Sequence, residues 1–152
     1  MATVLLQTTM GDVKIELLDD TMPITTGNFR KLVERGFYNG TLFHRVIAGF
    51  MIQGGDPEGT GLGGPGYTIK DELPANNRNA RGTISMANAG PNIGGSQFFI
   101  NLVDNHRLDP KHPAFGRVVS GMDVVDAISR TPTDNQDRPR TKVTIQKASL
   151  VP

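Results

Sequence analysis

Apolar and polar residues alternate from Asp12 to Leu17, with Val13, Ile15 and Leu17 set against Asp12, Lys14 and Glu16. A period of two is that of a strand with one buried face. A second short run, Val4 to Thr8, precedes it, and Thr9-Met10-Gly11-Asp12 forms a turn-rich joint, so the pair predicts a hairpin. The period then changes. Phe29, Leu32 and Val33 make a helical stripe, with Thr21 placed to cap it, Pro23 suited to its first turn and Gly36 to its end. Asn39-Gly40 marks a turn.

From Leu42 to Gln53 the pattern reads as a strand LFHRVI, a break at Ala48-Gly49, and a strand FMIQ; Gly54 to Gly66 is a glycine-rich loop. Further strand-like runs are Thr83 to Ala87, Gln97 to Leu102, Phe115 to Val119 and Val143 to Val151. Met122 to Ser129 predicts a short helix with Val124, Val125 and Ile128 on its apolar side, and Thr131 to Thr141 a polar loop. Many short strands with two helices, no repeat and no linker predict one domain, an antiparallel barrel or sandwich with capping helices.

Composition narrows this picture. The 152 residues suit a single domain, and 18 glycines with 10 prolines exceed average usage, as a turn-rich β protein requires. Lys plus Arg is 16 against 15 for Asp plus Glu, a net charge of +1, which argues against a dedicated nucleic-acid binder. The absence of cysteine excludes disulfides, thiolate metal sites and a cysteine nucleophile. The first residues have neither a basic segment nor an adequate apolar one, and no apolar run approaches the ~18 residues that span a bilayer. The expectation is a cytoplasmic protein that contacts no membrane.

The candidate chemistry is mostly negative. Gly59 to Gly64 matches G-x-G-x-x-G, but Pro57 and Pro65-Gly66 flank it and do not favour the helix a dinucleotide site needs, so it reads as a structural loop. His44, His106 and His112 lack metal-ligand spacing, Ser85 and Ser96 lack a nucleophile elbow, and Asp56, Asp71 and Glu72 are dispersed, so no metal or cofactor is expected. Two segments stand out, Phe43 to Asp56 (FHRVIAGFMIQGGD) and Ser85 to Ile100 (SMANAGPNIGGSQFFI). Each joins strand-like runs to polar side chains without acidic partners nearby. Taken singly, Phe50, Met51 or Phe99 reads as core packing and Arg45 as half of a surface ion pair.

Together with LDPKHPAFGRVVSGMDVV (Leu108 to Val125), these segments closely resemble the cyclophilin family of peptidyl-prolyl cis–trans isomerases, over essentially the whole chain. The short connection from Gly55 to Glu72 resembles the compact forms found in prokaryotes. The resemblance implies a closed eight-stranded antiparallel β-barrel capped by two α-helices, spanning residues 1–152, with the site on its outer face. It implies that Arg45 is the catalytic arginine and that Gln53 supports it. Phe50, Met51, Phe99, Leu108 and His112 match the family's proline pocket, and Ala87, Asn88, Ala89 and Gln97 its contacts to peptide. The implied partners are proline-containing polypeptides, met by a monomer. Arg107 stands where many members carry a Trp that strengthens cyclosporin binding, so weakened binding of that drug is implied. A proline-peptide binding module would need only the apolar pocket; Arg45 is what a catalyst adds. A nucleotide-binding barrel rests on the glycine loop alone.

Overall fold

The hairpin forms as the alternation predicts. In the computed structural model, which describes residues 2–152, β1 (Thr3–Thr8) and β2 (Gly11–Leu17) pair antiparallel from Thr3 opposite Glu16 to Thr8 opposite Gly11. Thr8 Oγ1 donates to the Gly11 carbonyl at 2.7 Å and accepts from Met10 N–H at 3.1 Å, closing the turn from its own side chain. Val13, Ile15 and Leu17 are all buried.

Helix α1 (Pro23–Glu34) follows. Gly36, at φ +73°, ends it: its N–H bonds to the Val33 carbonyl and that of Phe37 to Leu32, the paired bonds of a left-handed cap. Its start departs from expectation. Thr21 does not cap; its hydroxyl turns back to the Leu18 carbonyl. Glu72, from the loop, instead accepts from Ile24 N–H at 3.1 Å, Thr25 N–H at 2.6 Å and Thr25 Oγ1 at 2.7 Å. A carboxylate at this end satisfies donors that the helix leaves free and opposes its positive pole.

LFHRVI does not form one strand. It divides at Phe43-His44 into β3 (Thr41–Leu42) and β4 (Arg45–Ile47), followed by β5 (Met51–Gly54). Then come β6 (Thr83–Met86), β7 (Phe98–Asn101), a 3-10 turn at His106–Leu108, β8 (Ala114–Ser120), helix α2 (Met122–Ser129) and β9 (Thr144–Val151). All nine strands join one antiparallel sheet in the order β3-β9-β1-β2-β8-β6-β7-β5-β4.

The closed eight-stranded barrel is therefore corrected to an open, strongly curled nine-stranded half-barrel. The division at Phe43-His44 is the cause: β3 pairs with β9 and β4 with β5, placing consecutive strands at opposite edges. Phe43 is buried and its N–H donates to the Val143 carbonyl, while Val46 N–H donates to Asp137 in the 131–141 loop. The seam stays open as a sheet and is spanned by a loop and by an isolated bridge, Leu42 to Asp56.

Inside the curl, Phe29 packs against Tyr38, Phe98 and Phe115 at centroid distances of 5.2, 5.7 and 5.1 Å, and Phe98 also meets Tyr38 and Phe43 edge-on. Edge-to-face rings at such distances add to simple burial. Tyr38 donates its hydroxyl to the Ser96 carbonyl at 2.8 Å, and burial holds its pKa well above the usual tyrosine value, keeping it a donor.

Candidate active site

The register of four strands builds the site. Arg45 on β4 lies opposite Gln53 on β5, Gln53 opposite Phe99 on β7, and Phe99 opposite Ser85 on β6. Side chains alternate faces along a strand. Val46, Ile52, Ile84, Phe98 and Ile100 therefore enter the core cluster, while Met51 and Phe99 stand outside it although only 2% and 4% exposed. These two are the floor of an outer-face patch.

A chain of directed hydrogen bonds runs along that face. Gln97 Nε2 donates to the carbonyls of Gly61 at 3.0 Å and Gly63 at 2.9 Å. Carbonyls only accept, so the amide orientation is fixed and Gln97 Oε1 is left to accept from Gln53 Nε2 at 3.0 Å. Gln53 Oε1 in turn accepts from Arg45 Nη1 at 3.4 Å. The guanidinium ends the chain, exposed, with no ion-pair partner among the described residues.

The glycine-rich loop anchors the other end. Asp56 is fully buried, and its carboxylate accepts from the N–H groups of Glu58 at 2.8 Å, Thr60 at 2.9 Å and Gly61 at 2.6 Å. Burial raises its pKa, but the backbone donors outweigh burial and hold it below the usual carboxylate value. The amides that a phosphate would need are thus turned onto the protein's own carboxylate. Arg138 fastens the same loop through the carbonyls of Gly59 and Thr60. Gly55, at φ +88°, passes so close to Ser96 that a Cβ would stand 2.5 Å from its carbonyl. Burial lowers the pKa of His44, beside Arg45, opposed by Asp56 and assisted by Arg138 and Arg45.

Of the residues singled out in the sequence, Gln53, Ala87, Asn88, Ala89 and Gln97 line one groove of about 790 Å³, facing the glycine loop. Arg45, Phe50, Met51, Phe99, Leu108 and His112 are not among the residues that line it; Arg45 and Phe99 lie opposite Gln53 on the neighbouring strands. His112 packs edge-on to Phe99 at 5.3 Å, and its Nδ1 meets the Met86 carbonyl at 2.9 Å, which assigns the ring proton to Nδ1. His112 N–H bonds to the Leu108 carbonyl, and Asn88 Nδ2 to that of Lys111, tying the two halves together.

A buried set of amides, which the sequence reading missed, holds the patch in place. Asn101 Nδ2 donates to Asn79, Thr83 and Ser85, and Asn105 Nδ2 donates to Asn101 Oδ1 at 2.9 Å and to the Phe50 carbonyl at 3.0 Å. Asn79 N–H donates to Asp109 at 2.6 Å, and Asn77 and Asn79 both reach the His112 carbonyl. Their one signal in the sequence is Asn101 and Asn105 closing an otherwise apolar run, too little to identify a network.

The model of the family described as cyclophilin type peptidyl-prolyl cis-trans isomerase/CLD matches residues 3–150. A Neurospora crassa peptidyl-prolyl cis-trans isomerase-like 1 is 51% identical, covering 99% of this chain and 96% of that protein. A mouse protein of the same description is 48% identical over 95% and 90%. A crystal structure of a Cryptosporidium parvum cyclophilin type peptidyl-prolyl cis-trans isomerase, determined in the presence of the dipeptide Ala-Pro, superposes with a TM-score of 0.95 at 35% identity and 99% coverage of both chains. Among the described residues no helix is long and apolar enough to cross a membrane. With sequence and curled sheet in agreement along its length, the chain belongs to the cyclophilin-type peptidyl-prolyl cis–trans isomerases.

Proposed function

We propose that the isomerase turns X-Pro bonds by offering the Arg45 guanidinium to the prolyl nitrogen as the amide twists. The barrier of ~18–20 kcal/mol is the resonance of the planar amide, and exchange without a catalyst takes tens to hundreds of seconds. No bond breaks, so the step calls for neither a nucleophile nor a metal. At the twisted state the nitrogen recovers its lone pair and accepts a hydrogen bond that the planar amide cannot. A donor fixed beside it stabilises that state alone.

The observation that carries this reading is the bond chain from the Gly61 and Gly63 carbonyls through Gln97 and Gln53 to Arg45, which leaves the other guanidinium donors free. Gln53 is the positioning residue. Phe50, Met51, Phe99, Leu108 and His112 hold the pyrrolidine ring. Ala87, Asn88, Ala89 and Gln97 contact the peptide in the adjoining groove. The substrates are proline-containing polypeptides during folding, met by a monomer.

A protease-coupled assay on proline peptides tests the role of Arg45. Arg45→Ala lowers kcat/KM by about 10²–10³-fold, the cost of removing one transition-state donor, while peptide binding by titration changes little. An unchanged rate overturns the assignment. With Arg107 in place of a Trp, cyclosporin inhibits the same assay weakly, and Arg107→Trp strengthens it.

A further inference from the structure

Arg107 lies in the 3-10 turn His106–Leu108, one residue before Leu108, with its guanidinium 5.0 Å from the centroid of the Phe50 ring. It is exposed and has no ion-pair partner among the described residues. Of the nearest carboxylates in sequence, Asp109 is engaged through both oxygens, Oδ1 with Asn79 and Oδ2 with His106, and Asp104 accepts from Arg81 N–H through Oδ1; neither pairs with Arg107. Among the described residues Arg45 is braced only by the neutral Gln53, and the exposed Lys111 follows Arg107 on the same segment. The acid lining the groove described above, Glu58, belongs to the glycine-rich loop.

We propose that Arg107 is a specificity-determining residue that selects proline segments carrying an acidic side chain beside the proline. The proposal rests on the reading of Phe50 and its neighbours as the proline-holding surface. A guanidinium lying over a ring is held by its face, which leaves its in-plane N–H fork free for a carboxylate in paired geometry. The stack also fixes a long side chain beforehand, so less freedom is lost when the substrate arrives.

The test uses matched proline peptides that differ only in Glu, Gln or Lys at each position flanking the proline, read both by titration and by turnover. At one flank the Glu peptide binds about two- to fivefold more tightly than the Gln peptide, the range of an exposed charge pair, and the Lys peptide more weakly. The same ordering appears in kcat/KM. The preference fades at high salt, falls to unity in Arg107→Gln, and inverts toward Lys in Arg107→Glu. Equal binding of the Glu and Gln peptides to the wild-type protein, or a Glu preference that survives in Arg107→Gln, overturns the proposal. A Glu preference in binding without turnover of any peptide supports the charge selection and sinks the catalytic reading, so the two fail separately.

Discussion

Phe98 and Phe99 are consecutive, both buried on β7, and belong to different parts of the molecule. Phe98 points into the curl and meets Phe29, Tyr38 and Phe43. Phe99 points outward, is covered by His112, and lies in the cross-strand row with Arg45 and Gln53. The inner face is held by contacts among apolar side chains that could be exchanged for others of similar volume. The outer face depends on donors and acceptors with fixed directions, each useful only if the next one is in place. A four-residue strand buried on both sides thus serves the core on one face and the proposed site on the other.

The largest effect expected from breaking this contrast is on the inner side. Phe98→Ala costs about 3–5 kcal/mol of stability in denaturant titrations. Phe99→Ala costs clearly less, because the space it leaves lies at the outer face, yet it weakens proline-peptide binding about tenfold or more through lost apolar contact. Equal stability losses with unchanged binding would erase the distinction.

Gln97→Ala comes next. It removes the link between the glycine loop and Gln53, so Arg45 is held less well, and kcat/KM falls by about 10- to 100-fold, the range for sub-ångström to ångström misplacement of a reacting group. Gln97→Glu does not rescue it, since a carboxylate faces the Gly61 and Gly63 carbonyls without a proton to donate. Full rates in either variant would show that the chain of amides is ornamental.

The smallest effect belongs to Asp56→Asn. Three charge-assisted bonds to backbone N–H groups are weakened and an amide donor is turned on the same groups, for about 1 kcal/mol at neutral pH. The sign of the pH dependence follows from the lowered pKa of Asp56. Its ionised form contributes stability above the unfolded value of about 3.9, and that contribution is lost as pH falls through the lower folded value. Urea midpoints measured below about pH 4 should therefore fall less steeply for the Asn variant than for wild type. Hydrogen exchange at the Thr60 and Gly61 amides reads the same change locally.

The parts that were legible in the sequence share a physical cause. The alternation of β2, the stripe of α1, the glycine after its last turn and the full extent of α2 are all local patterns in which neighbours along the chain decide the structure. The division of LFHRVI escaped because its burial is decided by two distant strands, β9 for Thr41 and Leu42 and β5 for the residues from Arg45 onward. The capping of α1 escaped because Glu72 is 48 residues from Ile24. The prolines around the glycine loop mark it as structural, but nothing in its spacing shows amides converging on Asp56, which in sequence is one dispersed acid among several. The bond chain joining the proposed residues Arg45, Gln53 and Gln97 follows from strand register, whereas the amide set around Asn79 and Asn101 is made by side chains from several separate segments.

The seam between the edge strands has a consequence for the company this protein keeps. Extended chains seek unpaired strands to lengthen, and a long bare edge would recruit them as extra strands. Here one edge is two residues long and the other three, and Val46 has already given its N–H to Asp137. An extended polypeptide arriving to have a proline turned finds too little ladder on which to crystallise as a tenth strand. Division of a single strand across an open seam thus leaves little edge for a passing chain to join.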